Sequence, residues 1–440
     1  MIQRLIQSAA FFAWLSLPVT GLASPEIPGA PQSSPIALVG GTVHPVSGPA
    51  IKEGVVLFRR GKITYVGRRR PIPEGTEVID VSGKHVFPGM CDAFTNLGLV
   101  EVNRVRASVD HAETGQLNPN VRAHVAVNPD SELIPVTRSN GVLLVATVPT
   151  GGLIAGKAAV LQLDGWTYED LTLQAEVGLH VNWPSMSPVS DWWVEKPPAA
   201  RINQTEQALR NLQQAFDDAR AYQRARQAAG EQPFDIRWEA MQPVVAGKLP
   251  LIVSANELQQ IQAAVAFAVR NKVDVIVYGG YDAVHCAALL VAHHVPVIVG
   301  NVYRLPRRRD DDYDAPYTLP ERLRQAGVKF CISGSGRFGA ANVRNLPYHA
   351  ATAAAYGLPR DEALKAITLS PAQILGIADR VGSLEKGKDA TLFVANGDPL
   401  LTATKVQIAY VQGRRVQLSD RHKKLWRKYR EKYRRVKRAQ

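Results

Sequence analysis

From Pro88 to Gly376, short apolar runs alternate with stretches that have a helical pattern. The runs are rich in Val, Ile and Leu, and they include residues 141–148, 249–253, 273–278, 295–299 and 328–332. Continuous apolar strands that are separated by helices are typical of a parallel sheet covered on both faces. The number of runs and the length of this segment predict an α/β fold built on a TIM-like (β/α)8 barrel over residues 88–376.

Short strand patterns flank this segment on both sides. Residues 36–87 contain several short strands that are separated by glycines, and strands return in residues 377–418. Short strands with such spacing are typical of a small β-sandwich. The C-terminal strands have no place to pair inside a finished barrel, so we expect them to rejoin the N-terminal strands. The sequence therefore predicts one composite β-sandwich, made from both ends of the chain.

The first residues have the pattern of a targeting segment. Arg4 precedes the nearly continuous apolar run from Ala9 to Leu22, and small residues follow. This pattern predicts a cleavable secretory signal over residues 1–23, with an uncut N-terminal anchor as the alternative. Residues 24–35 are then a short linker rich in Pro and Ser. Together with the family resemblance described below, the signal predicts export, with the bacterial periplasm as the expected location.

The cysteines and the charge give two further expectations. Three cysteines, Cys91, Cys286 and Cys331, are too few for a disulfide framework, and we expect buried, inert thiols. Of the formal charge of +13, residues 421–438 contribute +10, because they hold eleven Lys or Arg and one Glu. The rest of the chain is nearly neutral, which argues against a nucleic-acid-binding protein.

Residues 419–440 combine this charge with apolar residues at helical spacing, namely Leu425, Trp426, Tyr429, Tyr433 and Val436. The pattern predicts a basic amphipathic helix. One interpretation is attachment to anionic lipid or another acidic surface. The alternative is a solvated extension whose aromatic side chains pack on the protein itself.

Two stretches carry a resemblance to a known family. Residues 88–98 begin with a Pro-Gly turn. Residues 369–376 read Leu-Ser-Pro-Ala-Gln-Ile-Leu-Gly, and residues 381–392 read Val-Gly-Ser-Leu-Glu-Lys-Gly-Lys-Asp-Ala-Thr-Leu. Both resemble motifs of the amidohydrolase superfamily, most closely its exported, imidazolonepropionase-like branch. The resemblance implies a sandwich plus a distorted barrel, and hydrolysis of carbon–nitrogen bonds other than peptide bonds. It also implies one or two divalent metals, often zinc, that activate a bound water.

The residues at the family's metal-ligand positions differ from that pattern. Phe94 and Asn96 stand where the first strand of the family carries two histidines, Ser254 stands at the fifth strand, and Ser335 stands at the eighth. The sixth strand ends in Tyr-Gly-Gly and also lacks a histidine. Zinc sites need three or four nitrogen, sulfur or carboxylate ligands. We therefore predict no metal and no other cofactor.

Other polar residues remain at the expected barrel mouth. The candidate pocket residues share a place at or just after a strand end; they are Asp92, Phe94, Asn96, Ser254, Asn256, Ser335, Arg344, Asn345 and His349. Charged and amide side chains there can bind a carboxylate or a carbonyl group of a small molecule. Loop capping and helix docking are the structural alternative for the same residues. The catalytic residues are not identifiable from the sequence.

Two functions therefore stay open. Family resemblance implies a hydrolase of carbon–nitrogen bonds in which the usual metal ligands are replaced. The residues favour a catalytically inactive, metal-free protein that binds a small ligand or a partner on the same scaffold, since a fold does not fix a function. Nucleic acid is not an expected partner of an exported protein, and a homo-oligomer is left open.

Overall fold

The structure is a computed structural model that describes residues 26–68, 70–186, 198–228, 233–334 and 339–439. The predicted signal segment, residues 1–23, lies outside this part of the chain. The described residues form two eight-stranded sheets and the helices around them. The α/β class and the TIM-like barrel with a composite second sheet are confirmed in outline.

The composite sheet joins both ends of the chain. Its strands, in the order of the sequence, are β1 (Ile36–Val43), β2 (Ile51–Arg59), β3 (Lys62–Arg68), β4 (Glu77–Asp80), β5 (His85–Pro88), β14 (Leu392–Ala395), β15 (Val406–Val411) and β16 (Arg414–Arg415). Strand β14 pairs with β5 in antiparallel register, with Val394 opposite Val86. The returning strands thus satisfy their backbone groups on the N-terminal strands, as the sequence predicts. Instead of two separate layers, the strands form one continuous hydrogen-bonded sheet.

The barrel sheet follows the chain order. Its strands are β6 (Met90–Thr95), β7 (Val142–Thr147), β8 (Ile154–Gln162), β9 (Thr172–Asn182), β10 (Leu251–Ala255), β11 (Val275–Gly279), β12 (Val297–Val299) and β13 (Phe330–Ile332). Strand β8 runs antiparallel to both β7 and β9, whereas the remaining pairs of neighbours are parallel. The barrel therefore departs from a regular (β/α)8 arrangement at its third strand.

Side chains at alternate positions of each strand point inward and fill the barrel interior. Ile252, Ile276, Ile298 and Cys331 come from four successive strands and belong to one buried cluster. Because side chains two residues apart on a strand share a face, the residues that follow these by two positions point into the same interior, one layer nearer the carboxyl ends of the parallel strands. Those residues form the mouth of the barrel.

The α-helices surround the barrel sheet and the ends of its strands. They are α1 (Leu133–Arg138), α2 (Tyr168–Leu171), α3 (Pro198–Gln227), α4 (Ile236–Val245), α5 (Leu258–Asn271), α6 (Ala287–Ala292), α7 (Ala315–Gln325), α8 (Gly339–Asn342), α9 (Leu346–Ala355), α10 (Arg360–Lys365), α11 (Leu369–Ile374) and α12 (Arg421–Ala439). Short 3-10 turns span Arg106–Ser108, Ala123–Ala126, Ala283–Cys286 and Val343–Asn345. Among the described residues, no helix is both long and apolar enough to cross a membrane.

The long helix α3 packs against the rest of the fold through an apolar stripe. Leu212, Phe216 and Ala219 are fully buried. The ring of Phe216 meets that of Phe267 on α5 edge-on, with 5.1 Å between their centroids. Arg220 donates to the side chain and the carbonyl of Asn271, which ends α5. The stripe is thus used for packing within this chain.

The three cysteines are buried free thiols. Burial raises the pKa of Cys286 to about 11, and it also raises the pKa of Cys91 and of Cys331 well above the ordinary value of a thiol. Thiolate is the reactive form of cysteine, so these groups are inert in the native state. The expectation of structural thiols is consistent with this placement.

Candidate functional site

An aromatic pair spans the mouth of the barrel. Phe94 lies near the end of β6, and Tyr278 lies two residues after Ile276 on β11. Their rings stack face to face with 3.5 Å between centroids and 3° between planes. Phe94 is only 5% exposed. The first-strand position at which the resemblance implies a histidine is therefore occupied by a ring that covers the barrel interior.

A serine and a histidine on neighbouring strands meet beside this pair. His180 on β9 is fully buried, and its Nε2 lies 2.7 Å from the Oγ of Ser254 on β10. Its Nδ1 lies 2.6 Å from the carbonyl oxygen of Pro149. A carbonyl only accepts, so Nδ1 carries the proton and Nε2 accepts from the serine hydroxyl. The edge of the Phe94 ring packs against the imidazole at 5.2 Å.

Burial sets the charge of this histidine. Desolvation lowers the pKa of His180 to about 4, and the Pro149 carbonyl opposes this shift. The imidazole is therefore neutral near pH 7, and the lone pair of its Nε2 accepts the hydroxyl of Ser254. A serine with a neutral, oriented imidazole at its hydroxyl has the geometry of a nucleophile with its general base.

Asp92 closes the barrel. Its Oδ1 accepts from the hydroxyl of Ser333 at 2.6 Å and from the amide of Phe94 at 3.1 Å, and its Oδ2 accepts from the amide of Gly334 at 3.0 Å. The same Ser333 hydroxyl lies 2.8 Å from the carbonyl oxygen of Phe94, so its single hydrogen is shared between these two acceptors. These bonds join β6 to the end of β13, so the first and last strands meet at this carboxylate. Burial raises the pKa of Asp92 to about 6, although its hydrogen bonds lower it.

Among the described residues, several buried polar atoms near the strand ends lack a hydrogen-bond partner. They include Oδ1 of Asn96, Oδ1 of Asn256 and Nδ1 of His349. Asn256 covers Gly279, at the end of β11, where a Cβ would lie 2.6 Å from this oxygen. His349 packs against Tyr303 and faces Gly334, and burial lowers its pKa to about 4. Unsatisfied buried polar groups are uncommon in folded proteins and can indicate the place of a bound molecule.

An arginine stands over the same end of the barrel. Arg304 follows β12, and its guanidinium lies 4.4 Å from the ring centroid of Tyr281, which follows β11. Its Nε is buried and has no hydrogen-bond partner within the part of the chain that the structure describes. Burial lowers the pKa of Arg304 to about 10. The charge on this side chain is therefore poorly solvated.

The neighbouring arginines of that loop are paired. Arg307 forms an ion pair with Glu257 at 2.9 Å, and Arg308 forms one with Asp282 at 2.6 Å. No ion pair of Arg304 occurs among the described residues. The loop thus uses Arg307 and Arg308 to attach itself to the ends of β10 and β11, and Arg304 takes no part in this attachment.

Two of the predicted pocket residues lie elsewhere. Arg344 and Asn345 line a groove with Asn140, Tyr348 and the start of α12. The carbonyl of Arg344 accepts from the side chain of Asn140 at 2.6 Å. The structure therefore brings together Asp92, Phe94, Asn96, Ser254, Asn256 and His349 at the strand ends, but it places Arg344 and Asn345 in a separate groove. Ser335 lies outside the described residues.

The donor atoms at the mouth do not fit the family's metal. Phe94 offers no donor atom, and both ring nitrogens of His180 are engaged at 2.6 and 2.7 Å. Both oxygens of Asp92 are bound within the barrel wall. Within the described ranges, no group of three or more His, Cys, Asp or Glu is placed to hold a metal ion. The absence of a bound metal stays a prediction, and no chemical step is assigned to one.

Four residues of this site were not recognised from the sequence. His180 lies in β9, a strand that the apolar pattern did not reveal. Its contact with Ser254 on the neighbouring strand β10 was therefore not predictable either. Tyr278 and Ser333 follow interior residues by two positions, so alternation on β11 and β13 would have found them. No local sequence pattern distinguished Arg304 from the other arginines of its loop, because which of them pairs with an acid depends on how the whole loop folds.

Comparisons with known proteins agree with this architecture. A profile described as the amidohydrolase family matches residues 314–417. The amidohydrolase tasK of Hapsidospora irregularis is 24% identical over 404 residues, which are 81% of this chain. This chain spans only 39% of the length of that relative. An imidazolonepropionase of Staphylococcus aureus is 45% identical over 47 residues, or 11% of each chain.

Solved structures extend the likeness to nearly the whole fold. An amidohydrolase from Thermotoga maritima aligns with a TM-score of 0.76 and 25% identity, over 87% of this chain and 99% of that one. A prolidase solved with N-methylphosphonate-L-proline aligns with a TM-score of 0.54 and 18% identity, over 87% of this chain and all of that one, which shows a shared fold alone. This chain is thus similar to amidohydrolases in sequence over residues 314–417 and in fold over most of its length.

Proposed function

We propose that this protein binds a small carboxylate-bearing molecule at the barrel mouth and does not use metal-assisted hydrolysis. The observation that carries the proposal is Arg304, a mostly buried guanidinium that stacks on Tyr281 with its Nε unpartnered. A planar guanidinium gives two parallel hydrogen bonds to a carboxylate, and a desolvated cation gains most from an anionic partner. The stacked rings of Phe94 and Tyr278 supply an apolar floor for the rest of the ligand.

The site also supplies hydrogen-bonding groups for a carbonyl or an amide of that ligand. The unpartnered atoms of Asn96, Asn256 and His349 surround the ends of β6, β10 and β13. An asparagine side chain offers both a donor and an acceptor. Ligand pockets commonly combine an apolar lining with a few polar groups that fix orientation. This arrangement favours a flat or cyclic amide that carries a free carboxylate.

The test is ligand-induced thermal stabilisation of the full chain. The probes are a panel of cyclic imides and N-acyl amino acids with a free carboxylate, each paired with its neutral methyl ester. At ligand concentrations well above Kd, stabilisation follows the logarithm of concentration over Kd. We expect at least one acid, and not its ester, to raise the melting temperature of the wild type.

Two arginine variants separate a specific site from general charge. Arg304→Gln removes the proposed anion partner, whereas Arg309→Gln removes an exposed arginine of the same loop. Arg309→Gln is expected to bind like the wild type, and Arg304→Gln is expected to lose at least about tenfold in affinity, the value of one charged hydrogen-bond pair. Equal stabilisation by acid and ester, or unchanged binding by Arg304→Gln, would refute the proposal. Metal analysis of protein purified without chelator is expected to find no stoichiometric metal.

A second candidate function is metal-independent hydrolysis of a carbon–nitrogen bond, and the pair of Ser254 and His180 favours it. Ser254 Oγ would attack an acyl carbon while His180 Nε2 takes its proton, and the leaving nitrogen would then take that proton from His180. Water would attack the acyl-serine with the same imidazole as base, releasing the acid and the free serine. The low pKa of His180 makes it a weak base, which is why this function comes second.

Covalent labelling separates the two candidates. A nucleophilic Ser254 is expected to react with a fluorophosphonate, adding one phosphonyl group to the intact mass. Ser254→Ala removes the labelled group, and Ser333→Ala serves as the control because that hydroxyl is held by Asp92. Failure to label, together with binding of a carboxylate probe, would leave the binding function alone.

We also propose export of this protein through the signal pattern of residues 1–23, with the bacterial periplasm as its location. The support is the apolar run that follows Arg4 and precedes a small-residue site. Fractionation of cells expressing the full chain, followed by intact-mass analysis, tests both parts. A periplasmic protein whose mass lacks residues 1–23 is expected, and full-length protein in the cytoplasm would contradict it.

A further inference from the structure

Helix α12 presents an apolar stripe to solvent. From Trp426 onward its apolar residues lie three or four positions apart, and Leu425 directly precedes them. All remain exposed: Leu425 by 42%, Trp426 by 59%, Tyr429 by 49%, Tyr433 by 62% and Val436 by 47%. Residues at this spacing share one face of a helix. Helix α3 gives the comparison within the same chain, because its stripe at Leu212, Phe216 and Ala219 is fully buried. The interpretation in which the aromatic tail residues pack on the protein is therefore wrong.

Cations surround the stripe on its other faces. Eleven Lys or Arg and one Glu give residues 421–438 a net charge of +10. Arg434 and Arg435 share the only acid, Glu431, at 2.9 and 3.0 Å. Arg430 lies over the ring of Trp426 at 4.6 Å, and Lys432 lies near that of Tyr433 at 5.9 Å. Long cationic side chains thus border the aromatic face directly.

The start of the helix is fixed to the barrel. The Asp420 side chain accepts from the amide of Lys423 at 2.9 Å, and the Lys423 ammonium donates to the carbonyl of Leu418 at 2.7 Å. His422 and Lys423 line a groove with Val136 of α1 and with Tyr348. The first turn therefore rests on the barrel, and the exposed stripe begins immediately after it.

We propose that α12 binds the surface of a bilayer rich in anionic phospholipid. A helix with a strongly cationic face and an apolar face of Trp, Tyr and Leu lies in the membrane interface, with the rings at headgroup depth. The Lys and Arg stems extend toward the phosphates while their charged groups stay solvated. Charge complementarity selects an anionic surface, and the aromatic stripe selects a lipid surface over a purely charged one.

Two other acidic partners are distinguishable from a membrane. A nucleic acid or an acidic protein can be bound by the cations alone, and binding by charge alone weakens steeply with salt. A bilayer also takes up the apolar stripe, so part of the affinity persists when salt screens the charges. The role of Trp426 and Tyr433 is therefore the deciding property.

The experiment is sedimentation of the full chain with vesicles. One set is pure phosphatidylcholine, and in the other set phosphatidylglycerol replaces part of it. The wild type is expected to sediment with the anionic set and to stay in solution with the neutral set. Trp426→Ala combined with Tyr433→Ala is expected to weaken binding by at least about tenfold, since two exposed aromatic side chains lose their burial in lipid.

The matched control is Trp166→Ala, because Trp166 is 65% exposed on the barrel and far from α12 in the sequence. It is expected to bind vesicles like the wild type, and all three proteins are expected to share one melting temperature in the absence of lipid. Equal binding to neutral vesicles, or unchanged binding by the double variant, would overturn the proposal. Retention by duplex DNA without sedimentation on anionic vesicles would overturn it in favour of a nucleic-acid partner.

Discussion

Phe94 and Tyr278 stack across the mouth of the barrel with 3.5 Å between their ring centroids. They stand on β6 and β11, which are not neighbours in the sheet, so their contact spans the barrel interior. Both residues occupy strand ends that, in the family resemblance, carry histidine ligands. The two stacked rings thus form an apolar layer across the barrel interior, at the level of the strand ends.

This contact predicts a stability effect for Phe94→Ala. Removing a buried ring deletes its transfer free energy and leaves a cavity, so we expect a loss of about 3 to 5 kcal/mol in the free energy of unfolding. Phe234 is 65% exposed and supplies the matched control, Phe234→Ala, for which we expect a change within about 0.5 kcal/mol. Urea denaturation of both variants measures the difference. Similar values for the two would contradict the role of the stack.

The Asp92 carboxylate predicts a second effect on stability. Asp92 accepts three hydrogen bonds through its two oxygens. In Asp92→Asn an NH2 group replaces one of these oxygens, so a donor group faces another donor and at least one bond is lost. We expect a loss of about 2 to 3 kcal/mol, the cost of leaving buried groups unsatisfied. Asp80 accepts from Ser82 at the same 2.6 Å, but at an exposed site.

Asp80→Asn is therefore the control for Asp92→Asn, and we expect it to leave the urea midpoint unchanged. Equal effects of the two substitutions would show that the hydrogen bonds of Asp92 between β6 and the end of β13 add no more stability than those of an exposed aspartate. A normal midpoint for Asp92→Asn would have the same meaning.

The composite sheet was predictable because every strand must pair the hydrogen-bonding groups of its backbone. Strands after Gly376 had unsatisfied backbone groups and no free edge in the barrel, so only the N-terminal strands could receive them. The pairing of Leu392 with Pro88 is the physical outcome of that argument. The apolar runs of β7, β10 and β11 were equally readable, since buried parallel strands are continuously hydrophobic.

The antiparallel hairpin of β8 and β9 was not readable in the same way. Its strands carry Lys157 and Glu176, which pair at 2.8 Å, and glycines at positions 156 and 178 interrupt the apolar pattern. A run that glycines and charged residues interrupt lacks the continuous apolar pattern of a buried parallel strand. His180 lies in this hairpin, so the main hydrogen-bonded group of the candidate site stayed hidden with it.

The predicted pocket was partly recoverable for a simple reason. The carboxyl ends of the parallel strands lie at one end of a barrel, and Phe94, Asn96, Ser254 and Asn256 all stand at or just after such ends. Arg344 and Asn345 belong to a 3-10 turn that points toward α1 and α12. Their location depends on how α9 packs, which no local pattern in the sequence encodes.

Burial of the cysteines predicts slow chemical modification. Native protein at mildly alkaline pH is expected to react with an aromatic disulfide reagent at none of its three thiols over minutes, and to release three equivalents of product once unfolded. Thr114→Cys places a thiol at an exposed position and is the positive control, with one equivalent reacting at once. Rapid reaction of any native thiol in the wild type would contradict the burial of Cys91, Cys286 and Cys331.

The buried imidazole of His180 predicts a stability that depends on pH. Its pKa is about 4 in the native state against an ordinary value of 6.5, so between these values the unfolded chain binds a proton that the native chain does not. The free energy of unfolding therefore rises with pH across this window, by about 3 kcal/mol for this group, and is complete above 6.5. Asp92 opposes the slope, because its native pKa of about 6 exceeds its unfolded value. Urea unfolding measures the free energy of unfolding at several pH values in this window, and its slope with pH is expected to be shallower for His180→Gln than for the wild type. The control is His422→Gln, at an exposed position, which is expected to keep the wild-type slope. Equal slopes for all three proteins would rule out a neutral, buried His180.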